Sequence, residues 1–179
     1  MAVALRTPRL LLREWRDDDI DRFSELLATP EVTAMLPPLP DRAACAAWIG
    51  RMRAHNEMHG FAYWAVELPG EAPLIGAIGL SRVNFADAFG EAVEIGWRLA
   101  RAYWGSGYAT EAARAAIEDG FCRLDISEIV AITVPINDRS RAVMERLGMT
   151  RDPGDDFDFH RFEVGNPLQR HVLYRLRRT

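Results

Sequence analysis

The sequence predicts a mixed α/β, or α+β, fold in one domain spanning residues 1–179, and three observations predict it. Three β-patterned runs follow one another over 61–100 with only turns between them, as antiparallel strands do. A strand–helix–strand–helix unit then fills 91–148. The 179 residues hold no internal repeat, low-complexity tract or linker, so one core is expected.

The elements follow in chain order. "LLLRE" (10–14) reads as a first strand. "DDDIDRFSELLAT" (17–29) reads as a helix whose acidic first turn suits the macrodipole. "MLPPLP" (35–40) is a proline-broken loop, and Asp41 can cap a helix over 41–58. "FAYWAVEL" (61–68), "PLIGAIGLSRV" (73–83) and "EAVEIGWRLA" (91–100) are strands joined by "PGEAP" and the "NFADAFG" turn. A helix over 107–120 ends at Gly120. "SEIVAITVP" (127–135) is almost wholly apolar, as a strand buried on both faces should be. "NDRSRAVMERLG" (137–148) is a helix with Gly148 at its end, and "RHVLYRL" (170–176) is the last strand.

Composition removes several function classes. The net charge is −4 and the pI about 5.6, which speaks against general nucleic-acid binding. No apolar run has the length of a membrane span, and the arginines within "MAVALRTPRLLLREW" mark a strand and not a signal peptide. A cytoplasmic protein, monomeric or homodimeric, is expected. Cys45 and Cys122 lie too far apart for a redox motif and read as buried small hydrophobes. All 22 basic residues are arginine. Without lysine there is no Walker-type phosphate lysine and no Schiff-base lysine, which disfavours a nucleotide switch. His55 and His59 stand four apart, a metal-compatible spacing, but no third ligand is evident and no metal is expected. The acidic loop "DPGDDFDFH" (152–160) reads as a solvated loop that could also draw a cationic acceptor.

The stretch "ARAYWGSGYATEA" raises the functional question. Gly105-Ser106-Gly107 opens a helix with two glycines, each costing about 1 kcal/mol inside one. The segment lies beyond the carboxyl end of one strand of the expected parallel pair, where such sheets bind ligands. Unpaired N–H groups and the positive helix end suit a phosphate there. A tight turn with a left-handed glycine explains the same residues. A dinucleotide fingerprint would need glycine where Thr110 stands, which leaves a coenzyme A pyrophosphate.

"EIGWRLARAYWGSGYATEA", followed by "VPINDRSRAVMERLGM", resembles the GNAT N-acetyltransferases, in particular their RimJ/RimL-like branch. "TPRLLLREWRDDD" and "HVLYRL" resemble that branch too, so the likeness runs nearly end to end. It implies a GNAT-type domain: a central, mostly antiparallel twisted sheet with a splayed parallel strand pair and flanking helices. It implies acetyl-coenzyme A as cosubstrate and an amine as acceptor. The family's pyrophosphate pattern falls on Trp104, Gly105, Ser106, Gly107, Tyr108 and Ala109, with Trp104 where arginine or glutamine is usual. The pantetheine arm is expected against the strand at Trp97 to Leu99 and at Asn137, which is also a good N-cap. Strand alternation puts Val93, Ile95, Trp97 and Leu99 on one face and Glu94, Gly96 and Arg98 on the other. Plain core packing accounts for the Trp97 side chain.

Acyl transfer needs a neutral amine and a proton for the leaving thiolate. At pH 7, deprotonation costs about 1.4 kcal/mol for an α-amine and about 4.6 kcal/mol for a lysine-like amine. Glu94, by likeness, is the candidate base, directly or through water; pairing with Arg98 on its own face is the alternative. The tyrosine that many members use to protonate the thiolate is replaced by Met144, and Ser140 is the nearest hydroxyl. The favoured acceptor is a protein or peptide N-terminal amine. A polyamine-like small amine is the rival, and a non-catalytic acyl-CoA-binding module is a third possibility.

Overall fold

A computed structural model describes residues 5–36, 39, 41–85, 88–159 and 162–178. The chain forms β1 (Leu5–Arg6), β2 (Leu11–Arg13), α1 (Asp19–Leu27), α2 (Pro30–Thr33), α3 (Arg42–His59), β3 (Tyr63–Leu68), β4 (Ala72–Phe85) and β5 (Gly90–Leu99). There follow α4 (Tyr108–Arg123), β6 (Glu128–Thr133), α5 (Asp138–Arg146), β7 (Thr150–Arg151), β8 (Phe157–Asp158) and β9 (Arg170–Arg177). The sheet order is β1-β2-β3-β4-β5-β6-β9-β7, with β8 on β9. Every pairing is antiparallel except β5 with β6. The expected mixed α+β sheet with one parallel pair is therefore present. Pro37, Pro38 and Pro40 of the proline loop, Ala86 and Asp87 of the 84–90 turn, and His160 of the acidic loop lie outside the described residues.

The two sheet faces carry different layers. On one, Leu12, Val66, Ile78, Ile95 and Ile129 pack against α4. Ala112, Ala113 and Ala116 are buried there, so the helix presents the thin face its alanines suggest. On the other face, α1 and α3 bring Phe23, Cys45, Trp48 and Ile49 onto Ala65 and Ala77. A third cluster joins Phe85, Val130, Phe157, Phe159 and Leu173. The second layer is anchored by a buried ion pair. Arg13 Nη1 and Nη2 donate to Asp19 at 2.7 and 2.9 Å, while Arg13 Nε donates to Glu67 at 2.8 Å. Asp19 thus does more than complement the α1 dipole: it ties β2 to α1.

Three expectations are corrected. The 107–120 helix does not end at Gly120 but runs to Arg123. A Cβ on Gly120 would stand 2.5 Å from Leu80 Cδ1, so this glycine lets α4 approach β4 closely. Cys45 is buried as expected, but Cys122 is exposed on the outer side of the extended helix. An additional short strand, β1, precedes and pairs with β2. The helix cap at Asp41 is as expected: its side chain accepts the Ala44 N–H at 2.8 Å.

His55 is a structural residue. Its Nδ1 donates to the Phe61 carbonyl at 2.7 Å, and its Nε2 accepts the Arg82 N–H at 3.0 Å. One neutral tautomer satisfies both bonds and leaves no lone pair for a metal. Burial lowers the His55 pKa; the nearby charges of His59 and Arg82 add to this, and the Phe61 carbonyl opposes it. Burial lowers His171 likewise. Above the ordinary histidine value of about 6.5, folded and unfolded chains are both neutral at these sites. Below it the unfolded chain binds protons first, so stability falls with pH until the depressed folded values are passed. Denaturant midpoints measured between pH 8 and 5 should be level at the upper end and decline below about 6.5, less steeply when His55 is replaced by glutamine. A decline equally steep in the variant would remove His55 as a cause.

Candidate active site

The Gly-Ser-Gly segment leaves β5 through a short 3₁₀ turn at Arg101–Tyr103 and enters α4. Gly105 and Gly107 have φ of +79° and +82°, a left-handed conformation that costs other residues roughly 1–2 kcal/mol. A Cβ on Gly105 would meet nothing within 4 Å, and one on Gly107 only Arg9 Nη2 at 3.5 Å. Backbone conformation therefore demands the glycines, and the space above them is open. Gly107 is the N-cap of α4 and offers no side chain to the first N–H groups. At α5, by contrast, Asn137 accepts the Ser140 N–H at 3.2 Å.

Three arginines surround this loop. Arg9 donates to the Ser106 carbonyl at 3.0 Å and lies 4.4 Å over the Tyr108 ring. It is fixed by Glu111, which accepts from Arg9 Nε at 2.7 Å and from Thr7 Oγ1 at 2.6 Å. Burial alone would raise the Glu111 pKa, but the bonds from Thr7 and Arg9 together outweigh it and hold the carboxylate below its ordinary value. Trp104 donates its indole N–H to the Leu99 carbonyl at 2.8 Å. The guanidiniums of Arg139 and Arg101 lie 4.7 and 5.1 Å over the Trp104 ring. Where the family pattern has one cationic or amide side chain, this chain has an indole with two cations on it. Sequence reasoning missed Arg9, Arg101 and Arg139; only "TPR" at 7–9 hinted at the first. The bond to Trp104 also occupies the Leu99 carbonyl, one of the groups expected to face the pantetheine arm. Ala109 packs partly buried against the main core.

β5 and β6 part company here. β4 and β5 register at ten residue pairs from Gly76↔Leu99 to Phe85↔Gly90. β5 and β6 register at one, Glu94↔Val130. On the α4 side of the opening, Trp97 Nε1 donates to Ser140 Oγ at 3.2 Å. Asn137 Nδ2 donates to Thr133 Oγ1 at 3.0 Å. Trp97, Asn137 and Ser140 are thereby brought together from β5 and the start of α5. Met144 is buried in the core.

On the opposite face, Glu94, Gly96 and Arg98 follow one another. Tyr63, Gly79 and Gly96 are aligned across β3, β4 and β5. A Cβ on Gly79 would collide with the backbone at the start of β3, 2.1 Å from the Ala62 carbonyl oxygen, and one on Gly96 would collide with Tyr63 Oη at 1.9 Å. The two glycines form a trench in which the tyrosine lies. Burial raises the Tyr63 pKa, with the charge of Glu94 adding to it and that of Arg98 opposing. Burial lowers Arg98, against the charges of Tyr63 and Glu94. Its guanidinium lies 5.7 Å over Trp48, and its Nη1 is buried without a hydrogen-bond partner among the described residues. Sequence reasoning found Glu94 but not Tyr63; the glycines of adjacent strands were the signal, legible only once their register is known.

Three of the four aspartates of the acidic loop are paired with arginines, and Asp152 accepts the Gly154 N–H. Asp155 pairs with Arg175 at 2.8 Å, Asp158 with Arg170 at 3.2 Å, and Asp156 with Arg151. Phe157 and Phe159 are buried and anchor the loop to the core, while Asp152, Pro153, Gly154 and Asp158 are exposed as a solvated loop should be. No helix among the described residues is long and apolar enough to cross a membrane.

This arrangement, a cap-free helix N-terminus beside a parted parallel strand pair, agrees with the comparisons. Residues 9–150 match the family model described as an acetyltransferase (GNAT) domain. The chain belongs to the GNAT acetyltransferases, and it is an N-acetyltransferase that uses acetyl-coenzyme A. Within that family its neighbours include the RimJ/RimL-like branch. It is 30% identical to the [ribosomal protein uS5]-alanine N-acetyltransferase of Escherichia coli, over 84% of this chain and 79% of that protein. It is 30% identical to the FsC-acetyl coenzyme A-N(2)-transacetylase of Aspergillus fumigatus, over 82% of this chain and 64% of that one. A GNAT-family acetyltransferase structure from Bacillus anthracis superposes with a TM-score of 0.78 at 25% identity, covering 98% of both chains. The RimL ribosomal L7/L12 alpha-N-protein acetyltransferase in complex with coenzyme A shares the fold, with a TM-score of 0.80 at 14% identity and 98% coverage of both.

Proposed function

We propose that the enzyme acetylates protein or peptide N-terminal amines, with Glu94 as base and Ser140 as the hydrogen donor to the leaving sulfur. The observation that carries the choice of acceptor is the internal pairing of the acidic loop. The third cluster includes Ala92, two residues before Glu94 on the same strand face. Its acids Asp155, Asp156 and Asp158 are held by arginines, and a buried Arg98 flanks Glu94 on the other side. Such a face is a poor host for a polyamine, whose several charges need several free carboxylates. An α-amine brings one charge and loses it at a cost of about 1.4 kcal/mol at pH 7. The uS5-alanine relative, whose name gives an alanine of a ribosomal protein as its acceptor, supports the same reading.

The roles follow from placement. Gly105, Ser106, Gly107, Tyr108 and Ala109 offer the α4 N-terminus to the pyrophosphate, with Arg9 over Tyr108 and Arg101 and Arg139 over Trp104 supplying positive charge. The pantetheine arm enters between β5 and β6, along the backbone at Trp97 and beside Asn137. The thioester then lies where β6 has left the sheet, open to both faces of β5. The charged amine gives its extra proton to Glu94, directly or through one water, its neutral nitrogen then bonds to the acetyl carbon, and the second nitrogen proton leaves to water. As the carbon–sulfur bond breaks, the sulfur takes a proton from Ser140, which recovers one from water, and Glu94 releases its own to solvent. The products are an amide and free coenzyme A thiol.

Three measurements test this reading. Thiol release with an alanine-started peptide should exceed that with spermidine or with an N-blocked lysine peptide in kcat/KM; a preference for spermidine would overturn the acceptor assignment. Gly107→Val puts a branched side chain at φ +82° where the pyrophosphate approaches, so calorimetric affinity for acetyl-coenzyme A should fall at least about tenfold in a folded variant. Unchanged affinity would sink the phosphate assignment. Glu94→Gln should lower kcat/KM most at low pH, where more acceptor is protonated, and the deficit should narrow as pH approaches the amine's own pKa. A loss independent of pH would make Glu94 a structural residue.

A further inference from the structure

A serine hydroxyl has one hydrogen to give and two lone pairs to receive. In the first turn of a helix it commonly turns inward, either capping or bonding back to a carbonyl three or four residues earlier. Ser140 does neither. Its backbone N–H goes to Asn137 Oδ1, and the Asn137 carbonyl is taken by the Arg141 N–H at 3.1 Å. Its Oγ receives the Trp97 indole N–H at 3.2 Å, and among the described residues the hydroxyl hydrogen goes to no protein acceptor. The hydroxyl is thus received from one side and left to give on another.

The donor sits on a different element. Trp97 belongs to β5 and Ser140 to α5, so the bond crosses the opening where the two parallel strands have separated. Both ends are held. The Trp97 ring packs partly buried against the main core, and the Ser140 backbone is fixed by its cap. What remains loose is rotation of the hydroxyl about its Cβ–Oγ bond. The indole N–H removes that freedom by occupying one lone pair, and by polarising the oxygen it makes the remaining O–H a better donor.

We propose that Trp97 is a positioning residue for the transfer step: its indole N–H turns the Ser140 hydroxyl hydrogen toward the departing sulfur of coenzyme A. This rests on the reading of Ser140 as the hydrogen donor. The step balances as before. The sulfur gains the Ser140 proton, Ser140 regains one from water, and the indole keeps its own throughout. Trp97 therefore acts through Ser140 and not on the substrate, in addition to whatever its backbone gives the pantetheine arm.

The test is a double-mutant cycle read with two acetyl donors, acetyl-coenzyme A and an acetyl thioester with a more acidic thiol. Trp97→Phe keeps an aromatic ring and removes the N–H. A second variant carries benzothienylalanine at position 97, which keeps the indole shape and replaces N–H by sulfur. Both should lower kcat with acetyl-coenzyme A by about 10- to 100-fold, within what a positioned acid contributes, with KM changed less than about twofold. The loss should shrink with the acidic-thiol donor. In a Ser140→Ala background the same changes at position 97 should cost almost nothing further. Equal losses with and without Ser140 would show that Trp97 acts independently, and the proposal would fall. If Ser140→Ala slows the enzyme selectively but the benzothienyl variant does not, the proposal falls and Ser140 stands. If Ser140→Ala itself has no effect, the Ser140 reading fails and takes this one with it.

Discussion

β5 and β6 run parallel and yet share a single registered pair, Glu94 with Val130. A sheet interior that parts in this way exposes N–H and C=O groups that would otherwise bond across it, and leaving such groups unmet costs about 1–3 kcal/mol each. The opening persists because each strand is fixed from its far side. Ten registered pairs hold β5 to β4, and six hold β6 to β9. The α4 layer packs on β4 and β5, where its alanines admit the helix to the sheet. The glycine loop, the uncapped helix end and the Trp97–Ser140 bond are all arranged around that gap.

Arginine does the work of both cations in this chain. The planar guanidinium forms forks with carboxylates and stacks on rings, which a lysine does not do equally well. Arg13 uses a fork to bind Asp19 and a further nitrogen to reach Glu67, joining β2, α1 and β3 in one buried cluster. Removing one partner of such a pair costs about 3–5 kcal/mol, since it leaves a buried charge behind. Around the glycine loop the same side chain lies on rings: Arg9 on Tyr108, Arg101 and Arg139 on Trp104. Stacking there leaves guanidinium edges free to bond while it fixes where the charge stands.

Periodicity located the main helices and central strands to within a few residues, and the cap at Asp41 was legible because a cap is a local device. What escaped was what depends on register or distance. Glu111 accepts from the Arg9 N–H, 102 residues away in the chain. The Tyr63 trench needs Gly79 and Gly96 aligned on neighbouring strands. Gly120 was misread for a related reason. A glycine near the end of an apolar helix looks like a stop, but here the demand comes from Leu80 on a different element. The acidic loop looked solvated because its phenylalanines alternate with aspartates, and that alternation is also how β8 sets Phe157 into a core while its charges face arginines. Of the residues expected at the site, Trp97 was read as core packing, and only the indole bond to α5 gives its polar edge a partner.

The alternation of β5 shows how one strand could serve both ends of the proposed transfer. Odd positions from Val93 to Leu99 face α4 and even ones face the α1–α3 layer, so Glu94 and Trp97 stand on opposite sides of the sheet. In an intact sheet the row of hydrogen bonds between them would be a wall, and a donor on one face could not meet an acceptor on the other. Where β6 has left, that wall is missing. The Tyr63 ring lies against Gly96 on the face of Glu94, and the Ser140 hydroxyl receives the Trp97 indole N–H on the other. Under the roles proposed above for Glu94 and Ser140, the same departure of one strand would give the pantetheine arm its passage and let groups held on opposite faces act on one carbon.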